Sequence, residues 1–243
     1  MASTSETGHA KNVANFQDLI EFATGYGATY NPYKGSLKLS NLITLKASAE
    51  GNLTDVISKN TNYNNKVNER ITAFSGLKAY STRLVNALQT TDATAETVGN
   101  AKTFNRKLQG KKASASQTPT DPNAPAPTTI STSQQSYDQL IQHLAGLNSV
   151  LEAETSYTPN ETDLQTATIQ AKIADLNAKN TAVATAYTSI SNSRIARNET
   201  LYSATTGLVE TANEVKKYVK SVFGASSPQF AQVKGIEFKK PKI

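Results

Sequence analysis

Two histidines, His9 and His143, are the side chains of this 243-residue chain best suited to proton transfer near neutral pH. His143 lies in "LIQHLAGL", which has helical spacing and apolar neighbours, and a textual match pairs it with Phe22. No His-x-x-x-His or Glu-x-x-His pair occurs, so the usual ligand spacing of helix-bundle metal sites is missing. We therefore expect His143 to pack in a core and His9 to be solvated, and we predict no catalytic residue, no cofactor and no metal site.

Nucleophilic chemistry has little support in the residue types. The chain has no Cys, which excludes disulfides, thiolate chemistry and Cys-ligated metals. It also has no Gly-x-Ser-x-Gly elbow, although Ser, His and Asp are all present and their order along a chain does not exclude a triad. The sequence therefore favours a non-enzymatic protein, and an enzyme of unrecognised type is the third hypothesis.

Two basic segments, "KTFNRKLQGKK" (102–112) and "KGIEFKKPKI" (234–243), are the clearest candidates for a binding surface. Each contains one Phe, and basic patches with aromatic residues are typical of nucleic-acid contacts. The alternative is a solvated helix end and a Lys-rich tail, because positive charge near a helix C-terminus is favoured by the dipole. The net charge is only +6, with 18% charged residues. The candidate basic patch comprises Lys102, Arg106, Lys107, Lys111, Lys112, Lys234, Lys239, Lys240 and Lys242.

The phrase "GYGATYNP" (25–32) could be a phosphate-binding loop or a bend between two helices. The related stretch "EAETSYTPNET" (152–162) has no glycine, and what the two share is Tyr, a capping residue and Pro. We interpret both as connectors, with Asn31 and Thr158 as N-caps of the helices that follow. Gly25 and Gly27 are expected to end the helix before the first connector.

The elements that carry these residues are predicted to be helices throughout. Apolar residues recur at steps of three and four, first at Val13, Phe16, Leu19 and Ile20 and then along two long segments. Residues 160–206 contain no Gly or Pro, which indicates one helix of up to 47 residues or a kinked pair near 189–194. In the first long segment, the Asn-rich stretch 59–65 is a candidate bend.

The two halves of the chain resemble each other weakly. Leu37, Leu42, Ala49 and Val56 match Leu164, Ile169, Leu176 and Val183 at an offset of 127 residues, and the offset becomes 131 from Gly76 and Gly207 onward. We predict an internal duplication and an all-α, elongated helical bundle of two sequence-related modules. The modules span 1–112 and 136–243, and a Pro/Ser/Thr/Ala-rich linker, 113–135, joins them.

Two longer phrases, "ETGHAKNVANFQDLIEFATGYGATYNP" and "KGIEFKKPKI", resemble those of uncharacterised helical proteins from Bacteroidota. The resemblance is strongest over the first third of the chain and at its end. It implies a helical fold and a bacterial origin, and because that group has no established activity it implies no site residues.

No run of apolar residues approaches the length of a membrane span, and none follows the N-terminal Met as in a secretory signal. The sequence therefore predicts a cytoplasmic protein without a membrane span. Its leading function is that of a non-enzymatic helical scaffold or protein-interaction protein, with another protein or a second copy as partner. The alternative is a nucleic-acid-binding protein that uses segments 102–112 and 234–243.

Overall fold

The computed structural model describes residues 8–110 and 135–240, and these residues form an all-α protein without a strand, as predicted. Residues 113–134 of the predicted linker, together with Lys111, Lys112 and Lys242, lie outside the described residues. The helices are α1 (His9–Gly25), α2 (Leu39–Ser75), α3 (Leu77–Leu88), α4 (Ala95–Gln109), α5 (Tyr137–Ala153), α6 (Thr166–Tyr202), α7 (Leu208–Phe223) and α8 (Pro228–Lys234).

The two long segments are single helices. α2 and α6 have 37 residues each, which corresponds to about 55 Å at 1.5 Å per residue. α2 continues through the Asn-rich stretch 59–65 and α6 through 189–194, so neither stretch interrupts its helix. A helix tolerates Asn because each one costs only about 0.7 kcal/mol relative to Ala.

The chain divides into two compact units whose boundaries lie inside the long helices. Unit 1 comprises the residues up to Asn64 and those from Ala186 onward, and unit 2 comprises Asn65–Thr185. Each unit therefore combines elements from both predicted modules. The module boundaries at the linker stay a prediction, since they describe sequence relatedness and not compactness.

Unit 1 is built around α1 and α7. The apolar face of α1 that its spacing predicts is buried, and Phe16 and Leu19 on it are completely buried. They meet the inner face of α7, where Val215 and Val219 are also completely buried. The first part of α2 and the last part of α6 complete this core, and they run antiparallel there, with Asn52 Nδ2 donating to Thr200 Oγ1 at 2.7 Å.

Unit 2 has α5 and α3 in corresponding places, and α4 closes it. The buried positions of α5 match those of α1 at an offset of 128 residues, as in Leu19 and Leu147. His143 therefore corresponds to Asn15, and the textual pairing of His143 with Phe22 is wrong. That match was displaced by seven residues, two helical turns, which return to nearly the same helix face.

The connector after α1 contains the phrase "GYGATYNP" and leads to α2 through a 3-10 turn at Gly35–Leu37. α1 ends at Gly25, and Gly27 adopts a positive φ of 60°, which suits a residue without Cβ. The prediction that Asn31 is an N-cap is wrong, because α2 begins at Leu39, after the 3-10 turn.

The connector after α5 has the same construction, with a 3-10 turn at Thr162–Leu164 before α6. The predicted N-cap at Thr158 is wrong for the same reason, since α6 begins at Thr166. The shared Tyr explains the repeated phrase instead. The hydroxyl of Tyr30 donates to the carbonyl of Leu37 at 2.8 Å, and that of Tyr157 donates to the carbonyl of Leu164 at 2.9 Å.

The structure also shows where the offset between the two halves of the sequence changes from 127 to 131 residues. α2 is followed by α3 after the single residue Gly76, whereas five residues, 203–207, separate α6 from α7. The four extra residues therefore lie in a connection and not in an additional helical turn.

Candidate functional site

The last described residues of unit 1, 236–240, form no helix and lie against α1. We call these residues the tail. Asn12 of α1 binds one tail residue twice, because its Nδ2 donates to the carbonyl of Lys239 at 2.7 Å and its Oδ1 accepts from the Lys239 N–H at 3.0 Å. A chain segment whose N–H and C=O point the same way is extended, and Asn12 takes the place of a neighbouring antiparallel strand.

Two further side chains hold the tail by its main chain. Asn15 Nδ2 donates to the carbonyl of Glu237 at 2.6 Å, and Nζ of Lys216, on α7, donates to the carbonyl of Ile236. Asn12, Asn15 and Lys216 define a surface that we call the tail groove. Because all three bind main-chain atoms, they hold a segment largely independently of its side chains.

The side chains of the tail alternate between the core and solvent. Ile236 and Phe238 are partly buried against the core of unit 1, and Lys216 Nζ lies 5.3 Å from the centre of the Phe238 ring. Glu237 and Lys239 are exposed. Burial lowers the pKa of Lys216, and the nearby Glu237 carboxylate partly offsets this. The tail groove therefore binds a main chain plus two apolar side chains at alternate positions. In strand-like peptide recognition, the main-chain hydrogen bonds provide affinity and the alternate side chains provide specificity.

A buried polar cluster lies beside the tail groove. His9 is only 1% exposed, so the prediction that it is solvated is wrong. Its Nδ1 lies 2.6 Å from the hydroxyl of Tyr202, which also accepts from Asn12 Nδ2 at 3.2 Å. Arg197, five residues before Tyr202 on α6, is completely buried and donates to Asn198 Oδ1 at 2.9 Å through Nη2.

The chemistry of this cluster suits positioning better than catalysis. Burial raises the pKa of Tyr202, with Asn12 and Arg197 opposing the effect, so the phenol stays protonated where a nucleophile would need the reverse shift. The cluster fixes the side chain of Asn12, which then faces the tail. Among residues 8–110 and 135–240, no three His, Asp or Glu side chains are grouped closely enough to hold a metal ion.

The basic residues of the first predicted segment lie on α4. Lys102, Arg106 and Lys107 are exposed, and the last two fall in the final turn of the helix, where the dipole favours them. Arg106 donates to Thr103 Oγ1 at 3.0 Å, and Lys107 Nζ lies 5.7 Å from the centre of the Phe104 ring.

The described basic residues of the second predicted segment lie in unit 1. Lys234 ends α8, and Lys239 and Lys240 are exposed in the tail of unit 1, whereas α4 belongs to unit 2. Lys239 Nζ lies 3.8 Å from a carboxylate oxygen of Glu237. Neither unit by itself therefore contains the whole predicted patch.

His143 is buried in α5 and 6% exposed, which agrees with a packing role. Burial lowers its pKa, and the positive charge of Lys107 adds to this. Its Nε2 has no hydrogen-bond partner among the residues that the structure describes. Burial and Lys107 therefore both favour the neutral form of His143.

None of the described helices is both long enough and apolar enough to cross a membrane. No protein-family model, no curated protein and no solved structure matches this chain. The candidate function therefore rests on the chain's own geometry.

Sequence reasoning missed the residues that hold the tail. Asn12 and Asn15 lie three residues apart among Val13, Phe16 and Leu19, and polar residues on an otherwise apolar helix face were the available signal. The tail itself carried a second signal, because Ile-Glu-Phe-Lys alternates apolar and charged residues with the period of a strand.

Proposed function

We propose that this protein is a non-enzymatic helical scaffold that binds extended segments of protein chains, including those of a second copy. The observation that carries the proposal is the paired hydrogen bonding of Asn12 to the N–H and C=O of Lys239. The amides of Asn12 and Asn15 face main-chain atoms, and main-chain hydrogen bonds of this kind are how extended polypeptide segments are recognised. A cytoplasmic location is part of the same proposal.

We also propose that the chain arose from two fused, sequence-related modules that form an elongated bundle. Support comes from the order of the elements, because a helix of 17 residues, a 3-10 turn and a helix of 37 residues occur in each half. The equivalent hydroxyl bonds of Tyr30 and Tyr157 add to this support. A scaffold benefits from duplication because it multiplies helical surface without a new fold.

The experiment that tests the proposal is peptide display against the immobilised full chain. We expect selected peptides to alternate apolar and polar residues, as the tail does, and to lose binding to an Asn12→Ala variant. Asn41→Ala is the matched control, since Asn41 Nδ2 donates to the carbonyl of Gly35 in the connector before α2, away from the tail. Failure to select any peptide whose binding depends on Asn12 would refute the proposal.

The nucleic-acid alternative keeps one specific observation, the three exposed basic residues within two turns of α4. Fluorescence anisotropy with a labelled duplex and a labelled single strand, at low and at physiological salt, tests it. We expect only weak, salt-sensitive binding, because few neutralised phosphates give a small electrostatic gain. Tight binding that survives physiological salt and is lost in Lys102→Ala/Arg106→Ala/Lys107→Ala would make nucleic-acid binding the better account.

A further inference from the structure

We propose that the tail groove also accepts the tail of a second copy, so that two chains associate by exchanging residues 236–240. This inference rests on the proposed function, since it names the occupant of the same surface. The tail groove binds main-chain atoms and two apolar side chains, and the segment certain to fit it is the one already seated there. A second copy carries that segment unchanged.

The tail makes more hydrogen bonds to the side chains of the tail groove than to α8, the helix that precedes it. α8 ends at Lys234, and Gly235 caps it, donating its N–H to the carbonyl of Val233. The Ile236 N–H donates to the same carbonyl at 3.2 Å. The remaining hydrogen bonds of the described tail residues run to the side chains of Asn12, Asn15 and Lys216. The tail can therefore leave without unfolding α8.

α8 itself is anchored and stays with its own chain. Val233 is completely buried, and the hydroxyl of Tyr26 donates to the carbonyl of Gln229 at 2.8 Å. Ser227 caps the first turn by accepting from the Phe230 N–H at 3.1 Å. The segment proposed to exchange is thus limited to the residues after Gly235.

The short tail dictates how two copies would meet. Five extended residues span at most about 17 Å, so each tail reaches a partner's groove only if the two α8 ends lie close together. An exchange in which each chain gives and receives one tail is closed and symmetric, and it produces a dimer and not a filament. Every hydrogen bond between the tail and the tail groove is then remade between chains, and the balance depends on protein concentration.

The test uses full-length chains and a fluorescein-labelled peptide of residues 234–243. An Ile236→Asp/Phe238→Ala chain, whose own tail fits poorly, should bind this peptide at least tenfold more tightly than the wild type does, because the wild-type tail competes. Adding Asn12→Ala should weaken peptide binding about tenfold, the value of one or two hydrogen bonds. Asn15→Ala is a second variant, which removes the bond to the Glu237 carbonyl and leaves the contact between Asn12 and Tyr202 intact. Asn41→Ala is the control and should leave peptide binding unchanged.

Sedimentation velocity then decides the occupant. The wild type should show a concentration-dependent dimer, which Ile236→Asp/Phe238→Ala and Asn12→Ala should each reduce. Peptide binding by a wild-type chain that stays monomeric at every concentration would overturn tail exchange and leave a segment of another protein as the occupant. Absence of peptide binding to the tail-weakened chain would overturn the accessible groove itself. Neither result depends on the display experiment, so this inference and the proposed function can fail separately.

Discussion

The two compact units are closed by different means. In unit 2, α4 is a helix of 15 residues that lies directly on α5, where Gly146 leaves room for the ring of Phe104. In unit 1, α8 has only seven residues, and the tail continues along α1. Leu147 and Leu19 are completely buried at equivalent positions of the two cores. Each unit therefore has its own core with equivalent buried positions, and the two units differ in the element that covers that core.

This difference leads us to expect a permanent closure in unit 2 and a detachable one in unit 1. The contact between Phe104 and Gly146 depends on shape and buries apolar surface, so opening it costs packing. The tail is held by three polar side chains and by the partial burial of Ile236 and Phe238, and an equivalent segment would make the same contacts. In unit 2, His143 occupies the position that Asn15, one of those three residues, has in unit 1.

The largest expected effect breaks the close packing of unit 2. A Cβ on Gly146 would lie 2.3 Å from the Phe104 ring, so Gly146→Leu should cost about 1–3 kcal/mol in the free energy of unfolding. The urea midpoint measures this. Asp18→Leu is the matched change in unit 1, where the equivalent position is exposed, and it should change stability by less than about 0.5 kcal/mol. Equal effects of the two substitutions would contradict the distinction between the closures.

A smaller effect tests whether the two connectors are equivalent. Tyr30→Phe and Tyr157→Phe each remove a hydroxyl that donates to a carbonyl seven residues later, and each should cost about 1–2 kcal/mol. Tyr33→Phe is the control, because Tyr33 is fully exposed. Chemical denaturation of the three variants gives the comparison, and a large loss for only one connector would show that they work differently.

The same tyrosines predict a loss of stability at alkaline pH. Burial raises the pKa of Tyr157 to about 12 from the ordinary 10.0, with the Tyr80 hydroxyl as a further cause, and burial also raises the pKa of Tyr30. A raised pKa means that the folded state keeps its proton, so stability is complete below pH 10 and falls as the pH rises toward 12. Denaturation midpoints of Tyr157→Phe should fall less steeply over that range. Parallel profiles would place the alkaline loss elsewhere.

The stability of unit 2 should be sensitive to acid because of His143. The equivalent residue of unit 1, Asn15, does not titrate. Burial and Lys107 lower the pKa of His143, so its contribution is present above the ordinary His pKa and is lost as the pH falls through the lowered value. Between pH 7 and pH 5, the wild type should lose more stability than His143→Leu. Urea midpoints at several pH values measure this, and identical slopes would contradict it.

The smallest effect concerns the ion pairs that tie each connector to a helix. Lys34 meets Glu214 at 2.6 Å in unit 1, and Arg83 meets Asp163 at 2.6 Å in unit 2, so the connector carries the positive charge in one unit and the negative charge in the other. Double-mutant cycles should give a coupling of about 0.2–1 kcal/mol for each pair, because the pairs are largely exposed. A coupling of zero in both cycles would show that these pairs do not stabilise the connectors.

Local spacing was sufficient to predict the helices and most of the core. The steps of three and four predict a common helix face for Val13, Phe16, Leu19 and Ile20, and all four are buried. The N-caps failed because a 3-10 turn separates each Tyr-x-Pro phrase from its helix, and such a turn has no distinct spacing. The polar positions of α1 and the alternation of the tail were visible in the sequence, but their pairing was not, because Asn12 meets Lys239 across 227 residues of sequence.

Amide hydrogen exchange tests the central claim, that the closure of unit 1 is detachable, most directly. The N–H of Lys239 is bonded to Asn12 Oδ1, and the N–H of Leu108 lies in the closing helix of unit 2. We predict that Lys239 exchanges through local opening at a free energy well below that of global unfolding, that Asn12→Ala accelerates it further, and that Leu108 exchanges only near the global limit. Protection of Lys239 equal to that of Leu108 would mean that the tail is a fixed part of the fold, and it would contradict the account.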